Sequence, residues 1–229
     1  ARDYLVPSRV HPGSFYALPQ SPQIFKQLLM VSGYDRYMQI ARCFRDEDLR
    51  GNRQPEFTQL DLEMSFIQPD DIYNLVEGLL SSLFETLLDV KISTPFERMP
   101  YQRAMEDYGV DAPDLRFDLK LKDISDIAGQ CGLKVFSDAI ERGGIAEAIN
   151  VKGGSDFSRK ELDELTEFVK IYGAKGMAWV KRNEEGWQSP IAKFFSAEDQ
   201  RAIEERLDVE VGDLILFGAD NKNIVNDAL

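Results

Sequence analysis

Alternation of apolar and polar residues predicts a β-hairpin in the first half of the chain. Residues 37–45 alternate and contain aromatic and β-branched side chains, and residues 57–66 alternate again. In the second stretch the leucines fall on one face, whereas Phe57 falls with the polar residues on the other. Residues 46–56 are polar and contain a glycine, which is typical of a loop. The strands should therefore pair antiparallel, with one face on a core and a polar face open to a ligand.

Capping residues and helical periodicity predict helices in both halves of the chain. The first should run from about residue 22 to 31 with Ser21 as its N-cap, and a longer one should end near residue 88. In the second half, Ser158 and Ser196 each precede an acidic residue by three positions, which is the spacing of a capping box.

The second half also has strand patterns of its own. Apolar runs predict strands at residues 135–140, 145–151 and 177–182, and the glycine- and proline-containing stretch 109–114 is the best linker. The roughly 110 residues that follow this linker can bury a core of their own. The predicted fold class is α+β.

Composition restricts the kind of partner. The 229 residues carry a net charge of −13, which argues against a general nucleic-acid binder because phosphate contacts need local cations. A local basic patch is still compatible with an acidic protein. Five arginines fall within 18 residues around the predicted hairpin: Arg36, Arg42, Arg45, Arg50 and Arg53.

Cysteine usage and hydropathy favour a cytoplasmic setting. We interpret Cys43 and Cys131 as buried free thiols rather than a disulfide. No run of 18 apolar residues predicts a membrane span, and the first residues lack the apolar segment of a signal peptide. The single histidine and the two cysteines form no metal-site pattern.

The residues at the predicted hairpin loop have the chemistry of a nucleotide site. Arg45 ends the first strand, Glu47 points the same way two residues later, and Phe57 begins the second strand. A guanidinium can bind phosphate oxygens in a bidentate manner, and an aromatic ring can stack on a base. From the residues alone, a surface ion pair of Arg45 with Asp46 or Asp48 is the simpler alternative.

A second cluster of polar residues lies at the start of the first predicted helix. Gln23 and Lys26 are three residues apart and so share a helix face. The N-terminus of a helix favours a carboxylate ligand. The alternative is a solvated lysine and glutamine on an amphipathic helix.

Several of these stretches closely resemble a known family. Residues 45–61 are similar to motif 2 of class II aminoacyl-tRNA synthetases, in the form found in bacterial aspartyl-tRNA synthetases. Residues 1–7 and 17–27 match the same enzymes in the expected order. From about residue 114 to 217 the chain resembles their insertion domain, a relative of which occurs in tRNA-dependent amidotransferase subunits.

The resemblance implies a division of the chain. Residues 1–113 would be part of the antiparallel catalytic core that carries motif 2, residues 114–220 the bacterial insertion (GAD-like) domain, and residues 221–229 the start of a helix returning to the core. The chain would then be a fragment, because motifs 1 and 3 are absent from it.

The resemblance also implies site roles. Arg45 would be catalytic and would touch both the α-carboxylate of aspartate and the α-phosphate of ATP. The aspartate site would comprise Ser21, Gln23, Lys26 and Arg45. The ATP site would comprise Arg45, Asp46, Glu47, Gln54 and Phe57. Arg50 and Arg53 would approach the tRNA acceptor end. Independently of the resemblance, Asp61 and Glu63 share the strand face of Phe57 and would have a supporting role.

The implied function is an aspartate–tRNA ligase that activates L-aspartate with ATP and transfers it to tRNA(Asp), and possibly to tRNA(Asn). The intact enzyme would be a homodimer and would need Mg²⁺, whose ligands lie mostly outside this chain; no metal site is expected within it. This chain alone is expected to be inactive. The alternatives are a tRNA- or partner-binding module without catalysis, and a class II synthetase for asparagine or lysine.

Overall fold

Two compact units, Ala1–Glu97 and Arg98–Leu229, make up the chain. The computed structural model describes residues 2–49, 51 and 53–229. Helices and antiparallel sheets occur in both units, which confirms the α+β fold class.

The first unit contains two separate two-stranded antiparallel sheets. A short pair comes first, and a longer hairpin of two nine-residue strands follows it. The elements in chain order are β1 (Tyr4–Pro7), β2 (Phe15–Leu18), α1 (Gln23–Val31), β3 (Arg36–Phe44), β4 (Glu56–Met64) and α2 (Pro69–Leu88). The predicted hairpin is thus confirmed.

The second unit is built on one five-stranded antiparallel sheet. Its strands are β5 (Lys122–Asp123), β6 (Ile145–Val151), β7 (Ala178–Asn183), β8 (Gly186–Gln188) and β9 (Leu214–Asp220), in the spatial order β5-β6-β9-β7-β8. Its helices are α3 (Tyr101–Tyr108), α4 (Ser125–Ala128), α5 (Lys134–Glu141), α6 (Arg159–Phe168), α7 (Ala197–Leu207) and α8 (Lys222–Ala228).

The central strand β9 is buried on both faces. Because side chains alternate along a strand, Ile215 and Phe217 enter one apolar cluster and Leu216 enters a second. Ile203 of α7 belongs to the first cluster, and Leu162 of α6 belongs to the second. The second unit therefore has a substantial core of its own.

The division between the units differs from the boundary predicted at residues 113 and 114. The backbone amide of Leu121 donates to the carbonyl of Asp107 (2.8 Å), so the end of α3 is bonded to the second unit. Helix α8 likewise buries Val225 and Asn226 within that unit. These contacts place residues 98–113 in the second unit, although they precede the predicted boundary. They also place residues 221–229 there.

Three local predictions need correction. Residues 135–140 lie in helix α5 rather than in a strand, because Phe136 and Ala139, three residues apart, are both buried. Ser21 does not cap α1, since Pro22 occupies the N-cap position without a side-chain hydrogen bond. The apolar face of the hairpin, expected on a core, leaves Met38 and Ile40 70% and 74% exposed.

Other predictions are confirmed. Ser158 and Ser196 each form a capping box, with Glu161 and Asp199 respectively. Both cysteines are free and buried. Among the described helices, none has the length and apolar character needed to cross a membrane.

Candidate functional site

One face of the β3–β4 hairpin brings the candidate site residues together. Gln39 lies opposite Asp61, Ala41 opposite Gln59, and Cys43 opposite Phe57. Since alternate residues share a face, Tyr37, Glu63 and Arg45 lie on this face as well. We call it the polar face of the hairpin; it runs from Tyr37 and Glu63 at one end to Arg45 and Phe57 at the other.

Helix α1 places Lys26 against one end of this face. The Lys26 ammonium lies 2.9 Å from Asp61 Oδ1 and 3.1 Å from Glu63 Oε2. Lys26 is only 8% exposed and Asp61 only 6%, whereas Glu63 is half-buried. The predicted lysine is therefore not a solvated side chain, because it is held in a buried ion pair.

Hydrogen bonds keep the Lys26 side chain charged. The bond to Asp61, supported by Glu63, raises the pKa of Lys26 and outweighs the opposing effect of burial. Asp61 Oδ1 also accepts from the side-chain amide of Gln59 (3.3 Å). The other oxygen, Asp61 Oδ2, is buried and has no hydrogen-bond partner among the described residues. A buried acceptor of this kind is costly unless a donor reaches it.

Arg45 and Phe57 meet at the other end of the polar face. The Arg45 guanidinium carbon lies 4.9 Å from the centre of the Phe57 ring, within the range of a cation–π contact. The backbone amide of Arg45 donates to the carbonyl of Pro55 (2.9 Å), which fixes the strand end that carries it. Both side chains are half-buried, so each keeps a surface for a ligand.

The thiol of Cys43 belongs to this end of the face and is buried there. Cys43 is fully buried, directly across from Phe57 in the register of the hairpin. Burial raises the pKa of the Cys43 thiol, so it remains protonated and unreactive at neutral pH. Its role here is that of a small apolar contact.

The remaining residues predicted for the nucleotide site lie in the loop that joins β3 and β4. Asp46 is exposed, and its backbone bonds to that of Arg2 in both directions (3.0 and 3.2 Å). Glu47 is half-buried and lies 3.9 Å from the exposed Arg53 guanidinium. Gln54 is exposed at the end of the loop.

Two further predicted residues lie at the start of α1. Ser21 is half-buried and Gln23 is exposed, in the turn that leads to Lys26. Arg50, predicted to face tRNA, lies outside the described residues.

The alternative predicted for Arg45 from the residues alone was an ion pair with Asp46 or Asp48. Within the described ranges, the structure shows no such pair and instead shows the stack on Phe57. The same ranges contain no group of three or more His, Cys, Asp or Glu side chains arranged to hold a metal ion.

Asp61 and Glu63, predicted to have a supporting role, are the residues that hold Lys26. Both carboxylates contact its ammonium directly. The alternation of β4 already placed them on the face of Phe57. The missing information was that α1 packs on that face, which is a tertiary contact.

Comparison with known proteins identifies a family and several similar proteins. A model of the family described as tRNA synthetases class II (D, K and N) matches residues 1–218. A protein of Desulfosudis oleivorans named Aspartate–tRNA(Asp/Asn) ligase is 61% identical over the whole chain, which covers 38% of that relative. A protein of Syntrophotalea carbinolica with the same name is 58% identical, with the whole chain covering 39% of it.

A protein of Oceanobacillus iheyensis named Aspartate–tRNA ligase is 57% identical over the whole chain, which covers 39% of its length. The chain therefore spans about two fifths of the length of these relatives.

Proposed function

The chain belongs to the class II tRNA synthetases (D, K and N), and on that basis we propose that it forms part of the active site of an aspartate–tRNA ligase. The observation that carries the proposal is the buried Lys26 cluster on the same hairpin face as Arg45 and Phe57. Phe57 and Asp61 are four residues apart on β4, or roughly 13 Å. That distance leaves room for an amino acid at one end and a nucleotide at the other.

The proposed reaction has two steps. An oxygen of the aspartate α-carboxylate attacks the α-phosphorus of ATP, and the bond to pyrophosphate breaks. A terminal ribose hydroxyl of tRNA then attacks the carbonyl carbon of aspartyl-adenylate and releases AMP. The first step needs no protein nucleophile, because the substrate carboxylate is itself the nucleophile. The protein contributes positioning and stabilisation of developing negative charge.

Arg45 is the residue proposed to act on both reactants. Its guanidinium offers several donors in a fixed plane, which suits one carboxylate and one phosphate at the same time. Its place at the end of β3, fixed by the bond to Pro55, holds it beside the ring proposed to receive adenine. Stacking of a base on Phe57 would contribute about 1–3 kcal/mol.

Lys26 is proposed to recognise the side-chain carboxylate of aspartate. An ammonium has three N–H donors, and Asp61 and Glu63 take two of them. The third remains for the substrate. The three side chains carry a net charge of −1, which favours the cationic amino group of an amino acid. The unpartnered Asp61 Oδ2 is a suitable acceptor for that group.

The remaining predicted residues complete the proposal. Ser21 and Gln23 would face the amino group of aspartate, and Asp46, Glu47 and Gln54 would line the nucleotide. Arg53 would approach the acceptor end of tRNA(Asp), or also of tRNA(Asn). A homodimer is proposed for the intact enzyme. The described residues alone do not fit a Mg²⁺ site, so we derive no step through a metal.

Separate titration of ligands into the intact protein tests the proposal. By calorimetry, L-aspartate and ATP should each bind, and L-asparagine and L-lysine should bind far more weakly than aspartate. A synthetase for asparagine or lysine would reverse that order. A binding module without catalysis would bind none of the four, and either result would contradict the proposal.

A further inference from the structure

The sheet of the second unit has a gap beside one end of its central strand. Strand β7 first pairs with β9 at Ala178, which lies opposite Phe217. Past that point β9 continues to Asp220, whereas residues 174–177, which lead into β7, are not part of a strand. Among the described residues, residues 218–220 therefore pair with β6 on one side and with no strand on the other.

The backbone of Ala219 faces this gap. Ala219 lies opposite Ala146 of β6, but both backbone groups of Ala146 are bonded elsewhere. The carbonyl of Ala146 accepts from the amide of Ile124 (2.9 Å), and its amide donates to the hydroxyl of Ser125 (2.9 Å). In an antiparallel ladder such a pair exchanges no hydrogen bonds, so the N–H and C=O of Ala219 point away from β6. Within the described ranges they reach no hydrogen-bond partner.

A cavity of about 380 Å³ occupies the gap. Its lining includes residues 217–220 of β9, residues 174–178 on the other side of the gap, and side chains of α5 and α8. If β7 were longer, Gly176 would lie opposite Ala219; a Cβ added to Gly176 would meet no atom within 4 Å. The place of a longer β7 is therefore open, and an extended peptide can pair with an open strand edge of this kind.

The lining of the cavity suits an apolar group that carries a negative charge. Apolar side chains form much of its wall, among them Leu133, Val135, Ile191 and Ile224. Its charged residues are Arg142, Lys175 and Asp220, which is an excess of one positive charge in a chain of net charge −13. Arg142 and Lys175 are exposed, and neither forms an ion pair with another described residue. The carboxylate of Asp220 already accepts from the amide of Asn221 (2.8 Å).

The start of β7 determines which end of a peptide fits. A peptide antiparallel to β9 runs in the same direction as β7, toward Ala178. Because β7 occupies the next position, a peptide that pairs with Ala219 has to end there. The N–H of its last residue then donates to the carbonyl of Ala219, and its terminal carboxylate accepts from the amide of Ala219. Arg142 and Lys175 supply the opposite charge.

We propose that this cavity binds the free C-terminus of an extended peptide whose last residue has an apolar side chain. The open edge is three residues long, or about 10 Å, so it accommodates only the end of a peptide. None of the residues proposed for the synthetase reaction takes part. The site is therefore a separate peptide-binding site of the second unit.

Titration of the whole chain with short peptides, followed by nuclear magnetic resonance, tests the proposal. The probe is acetylated Ala-Ala-Leu with a free carboxylate. The amide of Ala219 should shift and become protected from hydrogen exchange, whereas the amide of Gly218, opposite Glu147 of β6, should change little. Failure of this probe to bind, or binding that leaves Ala219 unchanged, would overturn the proposal.

Two altered peptides separate the proposed contacts. The same peptide with a C-terminal amide should bind about 10-fold more weakly, because hydrogen bonds to a charged acceptor are the stronger ones. A peptide methylated on the leucine nitrogen has no donor for the carbonyl of Ala219 and should also bind about 10-fold more weakly. Equal affinities of the free acid and the amide would contradict recognition of a C-terminus.

Variants of the protein test the charges without depending on how much of it is folded. Arg142→Gln and Lys175→Gln together should reduce the ratio of acid to amide affinity to near one. Lys134→Gln is the control, since Lys134 is exposed on α5 and lies outside the cavity lining. Ala219→Pro removes the proposed donor without breaking a hydrogen bond of the free protein and should abolish binding. An unchanged ratio in the double variant would overturn the proposal.

Discussion

Arg45 and Arg42 lie three residues apart at the end of β3 and occupy opposite faces of the hairpin. Arg45 lies on the polar face beside Phe57, while Arg42 lies on the other face and pairs with Glu56 (3.4 Å). Both have the same charge and lie near the end of β3 that leads into the loop. Substitutions of Arg45 and Arg42 therefore compare the loss of one arginine on the polar face with the loss of one on the opposite face.

Replacing Arg45 in the intact enzyme should impair activation severely. We expect Arg45→Ala to lower kcat/KM for aspartate-dependent pyrophosphate exchange by about 100-fold or more, the scale of losing one preorganised donor. Arg45→Lys should restore little, because the bidentate geometry is lost. Arg42→Ala is the control and should retain activity. Near-normal exchange by Arg45→Lys would contradict the proposed role.

Glu147 makes the stability of the second unit depend on pH. Its pKa is raised to about 7 in the folded state, so the folded state holds this proton more tightly than the unfolded chain does. The stabilisation is complete below the ordinary pKa and is lost as pH rises through about 7. Glu147→Gln should therefore gain stability relative to the parent at pH 8, by about 3 kcal/mol at most.

Denaturant unfolding at pH 5 and pH 8 measures this difference. Both tryptophans, Trp179 and Trp187, lie in the second unit, so their fluorescence reports on that unit alone. The advantage of Glu147→Gln should be small at pH 5 and larger at pH 8. An equal effect at both pH values would show that Glu147 does not titrate in this range.

At the scale of single elements, the patterns that were predicted correctly are local ones. The capping box of α6 is formed by Ser158 and Glu161, whose spacing is visible in the sequence. The hairpin followed from alternation over nine residues in each strand. Each of these signals lies within a few neighbouring residues, so no tertiary contact is needed to read it.

The features that the sequence did not reveal depend on contacts between distant segments. The stretch from Val135 contains a short apolar run, but Phe136 packs on Phe195 and Phe217 (ring centroids 6.2 and 6.1 Å apart), which selects a helix. Likewise, Asp61 becomes a direct partner of Lys26 only because α1 packs on β4. Burial of this kind is set by residues far apart in sequence.

Ser158 provides a test at the element scale. Its hydroxyl accepts from the backbone amide of Glu161 (3.3 Å), so Ser158→Ala should destabilise the second unit by about 1 kcal/mol. Ser137→Ala is the control: Ser137 is half-buried inside α5, its hydroxyl bonds back to the carbonyl of Lys134 in the same helix (3.2 Å), and the change should be close to neutral. Tryptophan-monitored denaturation compares them. Equal stabilities of the two variants would mean that the cap contributes nothing measurable.

At the scale of the whole molecule, the second unit has the core expected of an autonomous domain. Its sheet is covered on both faces, and α3 and α8 are bonded to it through Leu121 and Asn226. The first unit instead exposes apolar side chains such as Phe25, Met38 and Ile40. The two units should therefore differ in how they behave alone.

We expect a protein comprising residues 98–229 to unfold cooperatively on its own. A shorter one comprising residues 114–220 should have a lower Tm, because it lacks α3 and α8 and exposes the surfaces of Leu121 and Glu147 that they cover. Thermal unfolding followed by tryptophan fluorescence compares the two. Identical transitions would show that the boundary lies at residue 113 after all.

The central claim is that the Lys26 cluster selects aspartate by its side-chain carboxylate. Removing Lys26 alone would leave the buried Asp61 carboxylate without its counter-charge, which costs about 3–5 kcal/mol. A loss of activity could then come from unfolding as well as from weaker binding of aspartate. The double variant Lys26→Met/Asp61→Asn removes both charges of the buried pair. The ratio of exchange with aspartate to exchange with asparagine, measured on one preparation, is independent of how much of the protein is folded.

The most direct test is therefore aspartate- and asparagine-dependent pyrophosphate exchange by the intact enzyme and by this double variant. We expect the aspartate-over-asparagine ratio to fall by about 100-fold, the equivalent of roughly 3 kcal/mol. A double variant that kept the full preference for aspartate would contradict the placement of the aspartate side chain at Lys26.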